Sequence, residues 1–155
     1  MKRFIVDTER LTGMHRAFFE IARGLGIGYE LGDYSSCNVR LDATRFYPVM
    51  VDIIEDGGVL YMDGQVTDER TYMVGFFDVS PADIRDERNV EIVNRMVRHA
   101  ADFMKELLAW RARDGTRVEI AGDRVQYGVV LEKFDVKLTG IVLTLVLRTP
   151  GECFY

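Results

Sequence analysis

Residue types that often carry chemistry are scarce in this chain of 155 residues, which has 2 cysteines, 2 histidines, 3 prolines and 1 tryptophan. The two thiols, Cys37 and Cys153, are too few for a disulfide framework, and no CxxC pair or Cys/His cluster predicts a metal site. In a reducing compartment we expect both thiols to be free. Cysteine chemistry therefore gives no indication of the function.

Long apolar runs and basic runs are also missing. No segment approaches the roughly 20 apolar residues that span a bilayer. The basic start at Lys2 and Arg3 is followed by a short apolar stretch that ends at Asp7, which is too short for a signal peptide. We therefore expect the chain to start in a cytoplasm, with no membrane partner. The net charge of −5 disfavours phosphate-driven binding of nucleic acid, so no specific nucleic-acid binding is expected.

What is present is typical of a soluble globular protein, with 48% hydrophobic and 29% charged residues. The length favours a single domain over residues 1–155 that is large enough to bury a core. Apolar residues at steps of three and four predict a first helix over residues 8–23, which ends at Gly24. Ser80 and Pro81 predict the start of a long second helix, and Gly115 its end.

Alternating apolar residues predict strands between and after the helices. Residues 46–54, 59–62 and 71–79 fit this pattern, and residues 65–70 are predicted to be a polar loop. Three further predicted strands close the chain: residues 117–121, 125–131 and 138–147. The fold class expected is α+β: a mixed, mainly antiparallel sheet with an N-terminal helix and a long central helix packed on it, and a C-terminal three-strand meander.

Acidic side chains are dense between residues 52 and 70. The acids there are Asp52, Glu55, Asp56, Asp63, Asp68 and Glu69. Such a group can bind calcium or supply a general acid pair. However, no EF-hand pattern is present, and no histidine or lysine lies nearby in the sequence. The favoured interpretation is a solvated or inter-subunit acidic loop, with an exposed acidic hairpin that carries Asp52, Glu55, Asp56 and Asp63.

Catalytic patterns are not found in the sequence. His15 and His99 lie on predicted helices without an acid, cysteine or second histidine at a metal-ligand spacing, and His15 is interpreted as a residue at the core boundary. The glycines of residues 24–28 follow a helix, whereas a dinucleotide fingerprint follows a strand. Ser35 and Ser36 have no GxSxG frame. We therefore expect no catalytic, cofactor-binding or metal-binding residue, and no enzyme.

Two short segments carry a resemblance to a known family. Residues 46–52 place Tyr47-Pro48 at the start of a sheet strand, and residues 132–143 place Leu138-Thr139-Gly140 before a long last strand. Between them, residues 100–107 lie where a bracing helix is expected. With the order of helix, strands, long helix and strands, the chain resembles phage tail-terminator and tail-completion (head–tail neck) proteins.

The resemblance implies a structural function without catalytic residues. Members of this family are small α+β subunits that close into a ring, often a hexamer, which terminates the tail tube and joins it to the head connector. The implied partners are copies of the chain itself, the tail tube protein and the head connector protein. The implied location is the host cytoplasm during assembly and then the virion.

The last strand provides the predicted subunit contact. If this strand is an edge of the sheet, Val142, Thr144 and Val146 can pair with or pack against a neighbouring subunit. Equally, they can cover the core of their own domain.

A second function remains open: a soluble α+β small-molecule binding module, or a small enzyme, with a pocket near the glycine-rich residues 24–32 and Tyr29, Tyr34 and Tyr47.

Overall fold

The fold comes from a computed structural model, and the structure describes residues 13–32, 47–53, 57–81, 87–111, 115, 117–133 and 137–150. Within these residues the chain forms two helices and seven strands. In chain order they are α1 (Gly13–Leu25), β1 (Gly28–Gly32), β2 (Val49–Ile53), β3 (Gly58–Met62), β4 (Val66–Val79), α2 (Arg88–Ala109), β5 (Glu119–Ile120), β6 (Gln126–Lys133) and β7 (Leu138–Pro150).

Two long antiparallel strands, β4 and β7, form the centre of the sheet. Residues 67–79 of β4 pair with residues 150–138 of β7. On the outer side of β4, β3 pairs with its first half and β2 with its second half. On the outer side of β7, β6 and β5 lie end to end. Because β1 pairs with β2 in parallel and the other pairs are antiparallel, the sheet is mixed and mostly antiparallel, as predicted.

Both helices pack on one face of the sheet and form the main core with it. The rings of Phe18 on α1 and Phe103 on α2 lie 5.5 Å apart between their centroids, and Phe76 of β4 lies 5.5 Å from Phe103. These three side chains are at most 1% exposed. Burying one such ring contributes about 1.5–3 kcal/mol, so this aromatic contact fixes both helices on the sheet. The prediction of an N-terminal and a central helix packed on an α+β sheet is confirmed.

A second, smaller cluster lies on the opposite face of the sheet. Its buried members are Val49, Val51, Ile53, Phe77, Leu138 and Val142. Val142 lies on β7, which is not an edge of the sheet. One side of β7 pairs with β4, and the other side pairs with β5 and β6. The predicted pairing of this strand with a neighbouring subunit is wrong for that reason. Val142 is buried, Val146 is half-buried and Thr144 is exposed.

Three element boundaries differ from the prediction. Ser80 is not the N-cap of α2, which begins at Arg88, and residues 82–86 lie outside the described residues. Instead, the Ser80 N–H donates to the Lys137 carbonyl, and its hydroxyl pairs with that of Thr139. Residues 66–70 belong to β4 rather than to a loop. Within the predicted C-terminal meander, residues 121–124 do not form a hairpin between β5 and β6, because both strands pair with β7, and the Ala121 N–H donates to the Val146 carbonyl.

Candidate functional site

The predicted acidic hairpin is not a single exposed feature. Asp52 is fully buried on β2, because its face of the strand, shared with Met50, lies under α1. Its prediction as an exposed acid is therefore wrong. Glu55 and Asp56 lie outside the described residues. Asp63 is exposed in the turn between β3 and β4.

Asp52 accepts hydrogen bonds from two other elements. His15 Nδ1 on α1 lies 2.8 Å from Asp52 Oδ2, and the Tyr29 hydroxyl on β1 donates to the same oxygen over 2.6 Å. The imidazole also meets the Tyr72 ring edge on, with 5.7 Å between centroids. A buried carboxylate is tolerated when it is paired and hydrogen-bonded. We call His15, Tyr29 and Asp52 the Asp52 cluster, which ties α1 to the sheet.

Sequence reasoning missed this cluster because its members are far apart along the chain. Asp52 lies 37 residues from His15 and 23 residues from Tyr29. The alternation of apolar residues along the predicted strand 46–54 could have indicated it, because this alternation places Asp52 on the same face as Met50. A strand acid on a face covered by a helix needs a partner, and His15 lies on the predicted helix beside the apolar stripe.

Asp68 and Glu69 pair separately with arginines. Arg70 Nε lies 2.8 Å from Asp68 Oδ2, and Arg148 Nε lies 2.6 Å from Glu69 Oε2. The hydrogen bond and charge of Glu69 raise the pKa of Arg148. Across the residues that the structure describes, no group of three or more His, Cys, Asp or Glu side chains is placed to hold a metal ion. These acids therefore act as separate ion pairs.

The β3–β4 hairpin exposes apolar side chains on both of its faces. Every residue of β3 is exposed, and Met62 reaches 83%. We call the following residues the hairpin surface: Val59, Leu60, Tyr61, Met62 and Val66. Because successive strand residues point to opposite faces, Val59 and Tyr61 lie on one face and Leu60 and Met62 on the other. Exposed apolar surface of this kind is typical of interaction sites.

A second apolar surface lies between α2 and β6. Tyr127 and Val129 pair with Leu143 and Ile141, which belong to the core under the helices, so all four point to the helix-covered face. Both β6 side chains are nevertheless about half exposed, at 51% and 54%. In the described part of the chain, β6 pairs with β7 alone, so it forms an edge of the sheet.

One side of α2 continues this surface. The α1 helix lies along α2 over β1 and β2, so the opposite side of α2 lies toward β6. Apolar residues of α2 at steps of seven and four residues form one stripe on that side. Together we call the following residues the helix–β6 surface: Val90, Val97, Met104, Leu108, Tyr127 and Val129. Val90 and Leu108 are 62% and 56% exposed.

An open groove of about 300 Å³ lies where the C-terminal ends of α1 and α2 meet. Its lining includes Gly24 and Leu25, as well as Glu20, Glu106 and Trp110. A binding pocket was predicted near residues 24–32, and this groove includes the first two residues of that stretch. Its expected tyrosines are placed elsewhere: Tyr29 bonds Asp52, Tyr47 packs against the second cluster, and Tyr34 lies outside the described residues.

The sequence matches no protein-family model and no curated protein. Neither described helix has the length and apolar content that crossing a membrane requires.

Proposed function

We propose that this protein is a structural subunit of the tail–neck junction of a tailed phage or prophage. In this proposal, copies of the chain form a ring, for example a hexamer, that terminates the tail tube and joins it to the head connector. The chain acts in the host cytoplasm during assembly and then in the virion. The observation that carries the proposal is the hairpin surface, because apolar side chains exposed on both faces of a hairpin favour burial against another protein.

Further support comes from the fold and from the sequence resemblance. An N-terminal helix, a sheet and a long central helix occur in the order that the resemblance implies. The hairpin surface and the helix–β6 surface lie on opposite edges of the sheet, since β3 pairs with the outer side of β4 and β6 with the outer side of β7. A subunit with two separate contact surfaces suits a ring, in which each copy uses both.

The first test is the mass of the purified protein in solution. We expect association that increases with concentration, and closed rings in negative-stain images. Replacing Leu60 and Met62 by serine should shift the equilibrium toward monomer, because it removes apolar side chains from the hairpin. Val79→Ser is the matched control, since Val79 is 49% exposed but belongs to neither surface. Equal association of both variants would contradict a role for the hairpin.

The second test is genetic and addresses the location in the virion. Deleting the gene from a phage or prophage genome should leave filled heads together with unfinished or overlong tails in electron micrographs. Supplying the wild-type chain in trans should restore infectious particles. Normal infectious particles from the deletion strain would rule out the tail–neck function.

The groove beside Gly24 favours a second candidate function, a small-molecule binding module. Its lining includes Trp110, Glu20 and Glu106, and an aromatic residue together with acidic residues suits an organic cation. Trp110 is the single tryptophan of the chain, so its fluorescence reports on this groove. Titration with tetramethylammonium or arginine amide should change that fluorescence saturably if the groove binds cations, and a linear or absent response would remove this candidate.

A further inference from the structure

We propose that Met62 is a modification site, where oxidation of its thioether to the sulfoxide by a peroxide turns off the hairpin surface. Met62 is 83% exposed, more than any other large apolar residue that the structure describes. The inference rests on the proposed function for what the hairpin contacts, and it adds how that contact is regulated. The oxidation site itself depends only on the exposure of this residue.

Exposure separates Met62 from the other methionines that the structure describes. These others lie in or against the two core clusters: Met14, Met50, Met73, Met96 and Met104. A peroxide reaches a buried sulfur only when the structure opens, whereas it reaches Met62 in the folded state. Among the described methionines, oxidation of the native protein should therefore begin at Met62.

The reaction is a two-electron oxidation that balances with hydrogen peroxide as the oxidant. The sulfur lone pair attacks one peroxide oxygen, the O–O bond breaks, and the leaving hydroxide takes the proton of the transferred hydroxyl to form water. The sulfur is oxidised and the peroxide is reduced. A methionine sulfoxide reductase reverses the change, because two thiols form a disulfide and the oxygen leaves as water. The modification is therefore reversible, as a switch requires.

The sulfoxide changes one face of the hairpin. Met62 pairs with Val66 across the hairpin, and Leu60 lies two residues away on the same face. All three residues are at least 51% exposed. Oxidation converts the apolar methionine side chain into a polar one. A polar group that is buried in an apolar contact without a hydrogen-bond partner weakens that contact, so the oxidised hairpin should bind its partner less tightly.

The fold should remain intact when Met62 is oxidised. Every residue of β3 is exposed, and neither core cluster contains Met62. The sulfoxide therefore stays in water as long as the hairpin has no partner. Sulfoxides at Met50 or Met96, in contrast, would disrupt the core. An unchanged melting temperature thus distinguishes the switch from general oxidative damage.

Limited treatment of the native chain with hydrogen peroxide tests the site. Trypsin cleaves after Arg45 and Arg70, so that Met50 and Met62 fall in one peptide. Met50 is fully buried and serves as the internal reference. Fragment-ion mass spectrometry should find oxygen added to Met62 at least about 10-fold faster than to Met50 in the folded chain, and equally fast in denaturant. Equal rates in the folded chain would overturn the site.

Association of the oxidised chain tests the switch. Met62→Leu is the control variant, because leucine keeps an apolar side chain of similar size and has no sulfur. Peroxide should weaken association of the wild type about 10-fold and leave that of Met62→Leu unchanged. A methionine sulfoxide reductase with a dithiol should restore association of the wild type. Thermal denaturation should give the same melting temperature before and after oxidation.

The remaining outcomes separate the switch from the proposed function. Unchanged association of the wild type after full conversion of Met62 would overturn the switch and leave the proposed function standing. Equal weakening of the wild type and Met62→Leu would assign the effect to another residue. A wild-type chain that stays monomeric at millimolar concentration would exclude regulation of self-association. Peptide mapping would then still decide the oxidation site, and the deletion phenotype the tail–neck function.

Discussion

Replacing Asp52 by alanine is expected to lower the free energy of unfolding by about 3 kcal/mol, since Asp52 has two hydrogen-bond partners and leaving a buried polar group without its partner costs about 1–3 kcal/mol. The carboxylate is fully buried and receives His15 Nδ1 at 2.8 Å and the Tyr29 hydroxyl at 2.6 Å. Truncation leaves both partners in the core without this acceptor and removes the polar contact between α1, β1 and β2. The variant should unfold at a lower denaturant concentration, as circular dichroism measures.

Asp63→Ala is the matched control for this prediction. Both acids belonged to the same predicted hairpin, but Asp63 is exposed in a turn and Asp52 is buried. Surface substitutions of this kind change stability by no more than about 0.5 kcal/mol. A double-mutant cycle with His15→Ala should give a coupling energy of about 1 kcal/mol or more between His15 and Asp52. Equal stability losses for Asp52→Ala and Asp63→Ala would contradict the role of the Asp52 cluster.

The contrast between the two acids shows what local sequence patterns can predict. Alternation in residues 46–54 places Asp52 on the face opposite Val49 and Val51, and the structure has that arrangement. Alternation cannot tell which faces are covered. Both faces of β2 are buried because α1 covers one and the second cluster fills the other. The helix that covers Asp52 comes from a distant part of the chain, so its burial depends on tertiary packing.

The errors in the predicted sheet also arise from contacts between distant parts of the chain, in this case from strand pairing. Residues 67–70 are polar, which favours a loop locally, but β3 and β7 pair with them on both sides and supply partners for their backbone groups. Residues 121–124 contain a turn glycine, which favours a hairpin, but β7 is long enough to pair with both β5 and β6. The apolar periodicities of the two helices, in contrast, are local and predicted both elements.

The candidate surfaces could be predicted only in part from the sequence. The prediction located a subunit contact on the last strand at Val142, Thr144 and Val146 if that strand is an edge, and burial of these residues in the core of their own domain was the equal alternative. In the structure β7 is central and the exposed apolar residues lie on its neighbours, at Tyr127 and Val129 of β6 and on the β3–β4 hairpin. Which strands end at the edge of a sheet depends on pairing order, and alternation along one strand does not reveal that order.

The segment Leu138-Thr139-Gly140, which contributed to the family resemblance, has a packing explanation in this chain. Leu138 is fully buried in the second cluster, and Thr139 is buried with its hydroxyl paired to that of Ser80. Gly140 lies against the backbone of β4. The contacts of these three residues at the start of β7 stabilise the fold, so packing explains why each residue is found there.

Gly140→Ala is expected to lower the free energy of unfolding by about 3 kcal/mol, the upper part of the usual range for overpacking a core. A Cβ at this position would overlap the Phe76 carbonyl oxygen and crowd the Phe76 carbonyl carbon and the Phe77 Cα. These are backbone atoms, so a side chain cannot rotate away to make room. Relief would require moving β4 from β7 where Phe77 and Gly140 are paired, and that ladder is the centre of the sheet.

Gly128→Ala separates this steric effect from the general change of glycine to alanine in a strand. Gly128 lies on β6 opposite Val142, and a Cβ there would meet no atom within 4 Å. Since alanine restricts the unfolded chain more than glycine does, this variant should be unchanged or more stable by about 0.4–1 kcal/mol. Denaturant unfolding of both variants measures the difference. Equal stability of the two variants would show that the sheet relaxes around Gly140 without cost.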